Sequence, residues 1–118
     1  MEHPSWLPLI EGMLEAVWLV DPINLRIVAA NRAAESLLGA APGSLAGTPV
    51  IDLAATPEDI FFWEDVAAGL ADKIFSETLL LRLDGTAIQV ERRVTRVQFG
   101  QEGPLFIVAI RDKSEQRR

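Results

Sequence analysis

From Ile88 to Thr95 the chain alternates cleanly: Ile88, Val90, Arg92 and Val94 fall on one side of an extended backbone, Gln89, Glu91, Arg93 and Thr95 on the other. A period of two predicts a strand with one face covered and one face wet. Arg92 is the irregularity, a cation in line with the apolar positions. Upstream, Glu77 to Leu83 (ETLLLRL) is a second β-rich run, and Asp84-Gly85 lies between the two. That dipeptide predicts a hairpin with a type I′ turn, because Asp and Gly best tolerate the positive φ that both central residues of such a turn require.

The pattern elsewhere supplies the other elements. His3 to Glu15 carries an apolar stripe (Leu9, Ile10, Met13, Leu14) and predicts a short helix that Gly12 loosens or ends. Ala16 to Val20 is an apolar run stopped by Asp21-Pro22, hence a buried strand and a turn, with Arg26 to Ala30 as the returning strand. Asn31 stands at an N-cap before RAAESLL, a helix closed by Gly39. Ala40 to Pro49 reads as loop and Val50 to Ala54 as one short helical turn. Thr56-Pro57-Glu58-Asp59 predicts a helix start, with the helix running to Lys73 and burying Ile60, Trp63, Ala67, Leu70 and Ile74. Leu105 to Ile110 is continuously apolar, a strand covered on both faces. Two strands, then helices, then three strands imply an α+β arrangement: a five-stranded antiparallel sheet with helices on one face and an N-terminal flanking helix. The expected division is 1–15 flanking helix, 16–112 core, and 113–118 the start of an exit helix.

Composition narrows the function classes. The 118 residues make one domain. No apolar run approaches a membrane span, and the first residues lack a secretory pattern. With no Cys there is no disulfide or thiolate site, which fits the cytoplasm. A net charge of −6 disfavours nucleic acid as a partner. The lone His3 and the absence of Cys leave no nucleophile–base set, and the Glu58/Asp59 and Glu64/Asp65 pairs read as solvated helix charges. Catalysis by this chain and a metal site are not expected.

Taken in order, VWLVDP, RIVAANRAAESLLG, TPEDIFFWED, LRLDGTAIQVERRV and FIVAIRDKSEQRR resemble a PAS domain over about Leu9 to Arg118. Asn31, Asp84, Gly85 and Asp112 carry structural features of that family. The resemblance implies a sensory or dimerising module of a bacterial signalling protein, such as a histidine kinase, a cyclic-dinucleotide enzyme or a transcription regulator. An effector domain would follow this chain, and signals would leave through its end. The Cys-dependent flavin chemistry of the light-sensing subclass is excluded, as is haem ligation through a His on the long helix, so no cofactor is assigned.

The family's orientation places Trp18, Val20, Ile88, Val90, Arg92, Val94, Phe106, Val108 and Ile110 on the inner face, with Trp63 and Ala67 from the long helix. Trp18, Val20, Trp63, Ala67, Val90, Arg92, Phe106, Val108 and Ile110 are the candidate pocket for a small anionic or aromatic ligand; dense packing that leaves no cavity is the alternative. Arg92 cannot shed its proton, so burial demands a counter-charge. Glu35, Glu64 and Asp65 are the internal candidates, a ligand anion is the second reading, and outward snorkelling the third. Leu9, Ile10, Met13, Leu79, Leu81, Leu105 and Ile107 form the expected outer face, covered by the N-terminal helix, by a second copy in a homodimer, or by both. A stand-alone isomerase-like enzyme would need an inner carboxylate or His, and the inner set contains neither.

Overall fold

The computed structural model describes residues 10–69, 73–98 and 103–113. Its elements are β1 (Ala16–Val20), β2 (Ile27–Ala30), α1 (Arg32–Leu38), a 3₁₀ turn (Val50–Leu53), α2 (Pro57–Ala67), β3 (Lys73–Leu81), β4 (Ala87–Gln98) and β5 (Pro104–Asp112). The strands form one antiparallel sheet in the order β2-β1-β5-β4-β3. The expected fold class stands: five antiparallel strands with the helices on one face.

The first and last thirds of the chain meet at the sheet centre. Trp18 is in register with Val108, and Val108 with Val94, so one row of inner side chains crosses three strands. The main core comprises Trp18, Val20, Val90, Val94, Phe106, Val108 and Ile110 from the sheet under Ala34, Leu38, Leu53, Trp63 and Val66 from the helical layer. Such a double layer buries apolar area that neither layer could bury alone.

Capping follows the local sequence. The Asn31 side chain accepts from the Ala34 amide, and Gly39 closes α1 at φ 74°. The α2 helix starts at Thr56-Pro57 as expected, but it ends at Ala67 rather than Lys73. Gly69, at φ 80°, takes the left-handed position beyond the helix and donates to the Val66 carbonyl. Lys73 and Ile74 therefore belong to β3, and Leu70 lies outside the described residues, as do the first nine residues of the chain and 114–118. Of the predicted N-terminal helix, Ile10 and Glu11 are described and helical, and the chain turns at Gly12.

The hairpin is present but its turn differs from expectation. Leu25 is the only described non-glycine residue with positive φ, so Asp84 does not adopt the type I′ conformation. Gly85 donates to the Arg82 carbonyl, and Arg82 donates to the Thr86 carbonyl. This is a three-residue connection in which a turn is followed by a left-handed glycine, Gly85 at φ 91°. Asp84 instead anchors the turn through its carboxylate, which accepts from the Thr86 amide (2.9 Å) and hydroxyl (2.6 Å). The Thr86 hydroxyl, followed by its amide, holds the Asp84 carboxyl below the usual carboxylate range.

Candidate functional site

The inner face of β4 delivers Arg92 into the core at 2% exposure. Its counter-charge is none of the three carboxylates suggested by the sequence. Glu35 accepts from the Gly43 amide, and Glu64 and Asp65 are exposed. The partner is Asp59 in the first turn of α2, 3% exposed, with Oδ1 2.6 Å from Arg92 Nη2. The reading of Asp59 as a solvated helix charge is therefore overturned.

The cause is a rotation of the buried stripe. The inward residues of α2 are Asp59, Trp63 and Val66, with Phe62 half-buried, whereas Ile60 and the candidate pocket residue Ala67 are exposed. Counting four back and three forward from Trp63 reaches Asp59 and Val66, a helical stripe that tolerates one carboxylate because Arg92 lies beneath it. Helix spacing admits two stripes through Trp63, one with Ile60 and Ala67 and one with Asp59 and Val66, and packing over Arg92 selects the second.

Aromatic rings complete the enclosure. The Arg92 guanidinium carbon lies 3.8 Å from the Phe62 ring centroid and 5.6 Å from that of Trp63. Phe62 meets Trp63 edge-on at 5.3 Å, and Trp63 meets Phe106 at 6.4 Å. A guanidinium is weakly hydrated and stacks on ring faces, which offsets part of the desolvation of the pair. Nη2 also donates to Ser76 Oγ at 3.3 Å. Among the described residues the pair remains incompletely bonded: Arg92 Nε and Nη1 have no hydrogen-bond partner, neither Asp59 oxygen receives an aligned hydrogen bond, and Trp18 Nε1 has none. The close Asp59 contact is thus an ion pair off the hydrogen-bond line. Of the candidate pocket residues, Trp18, Val20, Trp63, Val90, Arg92, Phe106, Val108 and Ile110 are all buried.

The outer face divides in two. Under β1 and β5, Val17, Leu19 and Leu105 form a second buried cluster with Ile10, and Ile107 and Ala109 pack against it. Ile10 and Leu105, expected to face a partner or to serve as cover, are covered within this chain, at 2% and 6% exposure. The other half stays open. Met13 and Leu79 are 43% and 41% exposed, Leu81 is half-buried, and Leu9 lies outside the described residues. A cleft of about 610 Å³ runs between Met13 and Glu15 on one side and Phe75, Arg93 and Ile107 on the other.

Asn31 ties the entering chain to the sheet. At 1% exposure its Oδ1 accepts from the amides of Val17 (3.1 Å) and Ala34 (3.0 Å). Its Nδ2 donates to the carbonyls of Ile10 (3.0 Å) and Glu15 (2.9 Å). One amide thereby joins the N-terminal turn, β1 and α1. At the other end, Asp112 closes β5 in register with Val90. The Lys113 amide donates to the Gln89 carbonyl at 2.9 Å, and Nζ lies 3.4 Å from both Glu77 and Glu91. The bond to Glu77 raises the Lys113 pKa above its ordinary 10.5, with Glu91 adding to the effect. Glu77 and Glu91 oppose each other across β3 and β4, a like-charge pair that Lys113 bridges. No group of metal-binding side chains occurs among the described residues, nor any helix long and apolar enough to cross a membrane.

Comparison with known proteins agrees with this architecture. A search of curated protein sequences finds no match. Among solved structures, the PAS domain of an HTR-like protein from Haloarcula marismortui is 23% identical, covers 88% of this chain and 85% of its own, and superposes with a TM-score of 0.71. A PAS domain from a two-component sensor histidine kinase is 20% identical, with coverages of 90% and 91% and a TM-score of 0.72. The PAS domain of nitrogen regulation protein NR(II) from Vibrio parahaemolyticus is 21% identical, with coverages of 90% and 97% and a TM-score of 0.69. At these identities the structures speak for the fold alone. The sequence itself matches the family model described as PAS fold over residues 8–113. With nearly the whole chain inside that match and the sheet order, capped helices and buried Asn31 in place, this chain belongs to the PAS fold family.

Proposed function

We propose that this PAS domain is a regulatory module of a larger cytoplasmic signalling protein, relaying a change at one end of its sheet to an effector domain after residue 118 and associating with a second copy. The observation that carries this reading is that the first and last described segments, at Ile10 to Glu15 and at Lys113, are tied into the same sheet by specific polar contacts. Asn31 holds the entry through two carbonyls, and Lys113 holds the exit through the hairpin strands β3 and β4. Sheet order brings the two together, because β5 lies between β1 and β4. A shift of the N-terminal turn therefore has a short mechanical path to the exit, of the kind a two-state relay requires. The structural neighbour from a two-component sensor histidine kinase supports the same class of role.

The test is made in the parent chain. Lys113→Met and Asn31→Ala should each change effector output, whereas Leu14→Ala, at a residue 97% exposed, should not. Unaltered output in both variants, with the fold intact, counts against the relay.

A second reading has its own observation. Among the described residues Arg92 Nε and Nη1 are buried without hydrogen-bond partners, beside the rings of Phe62 and Trp63, an environment suited to a small anionic or aromatic ligand. Native mass spectrometry of the purified chain distinguishes a sensor that retains such a ligand from a scaffold with a filled core. Stoichiometric added mass supports the sensor, and bare protein mass supports the scaffold.

A further inference from the structure

Alternation along β4 sends Glu91 and Arg93 to the outer face, two residues apart, while Val90, Arg92 and Val94 are buried on the other. These two outward neighbours hold different segments of the chain. Arg93 Nη2 donates to both carboxylate oxygens of Glu15, at 2.7 and 2.8 Å, just before β1 begins. Glu91 lies 3.4 Å from Lys113 Nζ, just after β5 ends, and 3.9 Å from Arg111 Nη1. Lys113 Nζ stands at the same 3.4 Å from Glu77, which faces Glu91 across β3 and β4. Three carboxylates and three cations thus form one network, neutral in total, in a chain of net charge −6.

The contacts differ in grip. The Arg93–Glu15 pair is short and charge-assisted, but it is solvent-screened and opens readily. Lys113 sits midway between two carboxylates and beyond the tight charge-assisted range of either. The Glu91 side chain, 21% exposed against 31% for Glu15, is the less screened anion. It stands about 7 Å along the strand from Arg93, within reach of a long side chain. A guanidinium also grips a carboxylate with a fork that an ammonium lacks. Glu15 is therefore what holds Arg93 away from Glu91. We propose that Arg93 is the coupling residue between entry and exit. When the N-terminal turn draws Glu15 away, Arg93 swings along β4 to Glu91 and displaces Lys113, which is left with Glu77 and, through its amide, the Gln89 carbonyl. One side chain exchanges partners and the sheet stays as it is. This mechanism rests on the relay reading above and names the side chain that carries it.

Two variants break the same Glu15–Arg93 pair and separate this exchange from a plain latch. Glu15→Gln frees Arg93, so hydrogen exchange at the Lys113 amide should quicken roughly two- to fivefold, measured relative to the central Val108 amide that reports whole-domain opening. Arg93→Gln removes the group that moves, so the rate should stay at the wild-type value, and adding Glu15→Gln to it should change nothing further. High salt should erase the effect of Glu15→Gln. Equal quickening in both single variants overturns the proposal, because a latch that only ties the turn down loses the same contact in each. An unchanged rate in Glu15→Gln overturns it as well. Asn31→Ala then tells the two readings apart. If it quickens the Lys113 amide, the relay stands and runs through the carbonyls that Asn31 holds; if it does not, the relay falls with the exchange.

Discussion

Arg92 and Arg93 are neighbours on β4, and each meets one carboxylate at nearly the same distance, 2.6 Å to Asp59 and 2.7 Å to Glu15. Their surroundings separate them. The side chains of Arg92 and Asp59 are each 2% exposed, while those of Arg93 and Glu15 are 54% and 31% exposed. The strand's period of two sends one arginine into the core and the next into water. In water the pair gains little, because solvent screens it and both side chains lose freedom. In the core the attraction is stronger, but both ions have lost their hydration, and removing either leaves a bare buried charge. Ion-pair distance thus says little about what a pair contributes, and burial decides.

Breaking the inner pair gives the largest expected effect. Asp59→Leu strands the Arg92 guanidinium and should destabilise the domain by about 3–5 kcal/mol in denaturant unfolding. A loss below about 1 kcal/mol would mean that Phe62 and Ser76 suffice to hold the cation. Replacing both partners, with Asp59→Leu and Arg92→Met together, should recover most of that loss and can exceed wild-type stability by about 1 kcal/mol or more. A double variant as unstable as the single one would show that the polar pair specifies the packing of α2 on the sheet.

The outer pair should behave oppositely. Arg93→Ala should cost about 0–1 kcal/mol, and the difference from wild type should shrink as salt is added. A larger, salt-independent loss would place Arg93 with the buried class. The smallest effect concerns Asp84 in the hairpin turn. Its pKa is lowered in the folded state from 3.8, so its contribution is present above that value and lost as pH falls through the lower folded value. The stability gap between wild type and Asp84→Ala should be flat near neutrality and close in acid. A gap unchanged at the most acidic pH would remove the carboxylate–Thr86 contact as its cause.

Several features were legible because they depend on neighbours in sequence. Asn31 before a run of helix formers and Gly39 after it predicted α1 and its caps, and both caps are observed. Alternation along β4 predicted its two faces, and Val90, Arg92 and Val94 are buried on one of them. Gly69 was an available stop signal for α2 that the apolar periodicity through Leu70 and Ile74 obscured. The hairpin type differs from the expected one because Asp84-Gly85 fits two turn families. Which one forms depends on where the strands come into register, and here Arg82 pairs across to Thr86.

By itself the sequence determined the element order, the family resemblance, the place of Arg92 in line with the apolar positions of its strand and the need for a counter-charge once it is buried. These follow from chirality, capping and period, which act within a few residues, and from a guanidinium's permanent charge. Only the tertiary structure decided that Asp59 supplies the counter-charge, that Ile10 covers half of the outer face, and that β3 stands last in the sheet order. Each depends on contacts between segments far apart in the chain. The rotation of a helix over a sheet is chosen by the whole packed interface, and one turn of α2 offers both Glu58 and Asp59 as candidate anions.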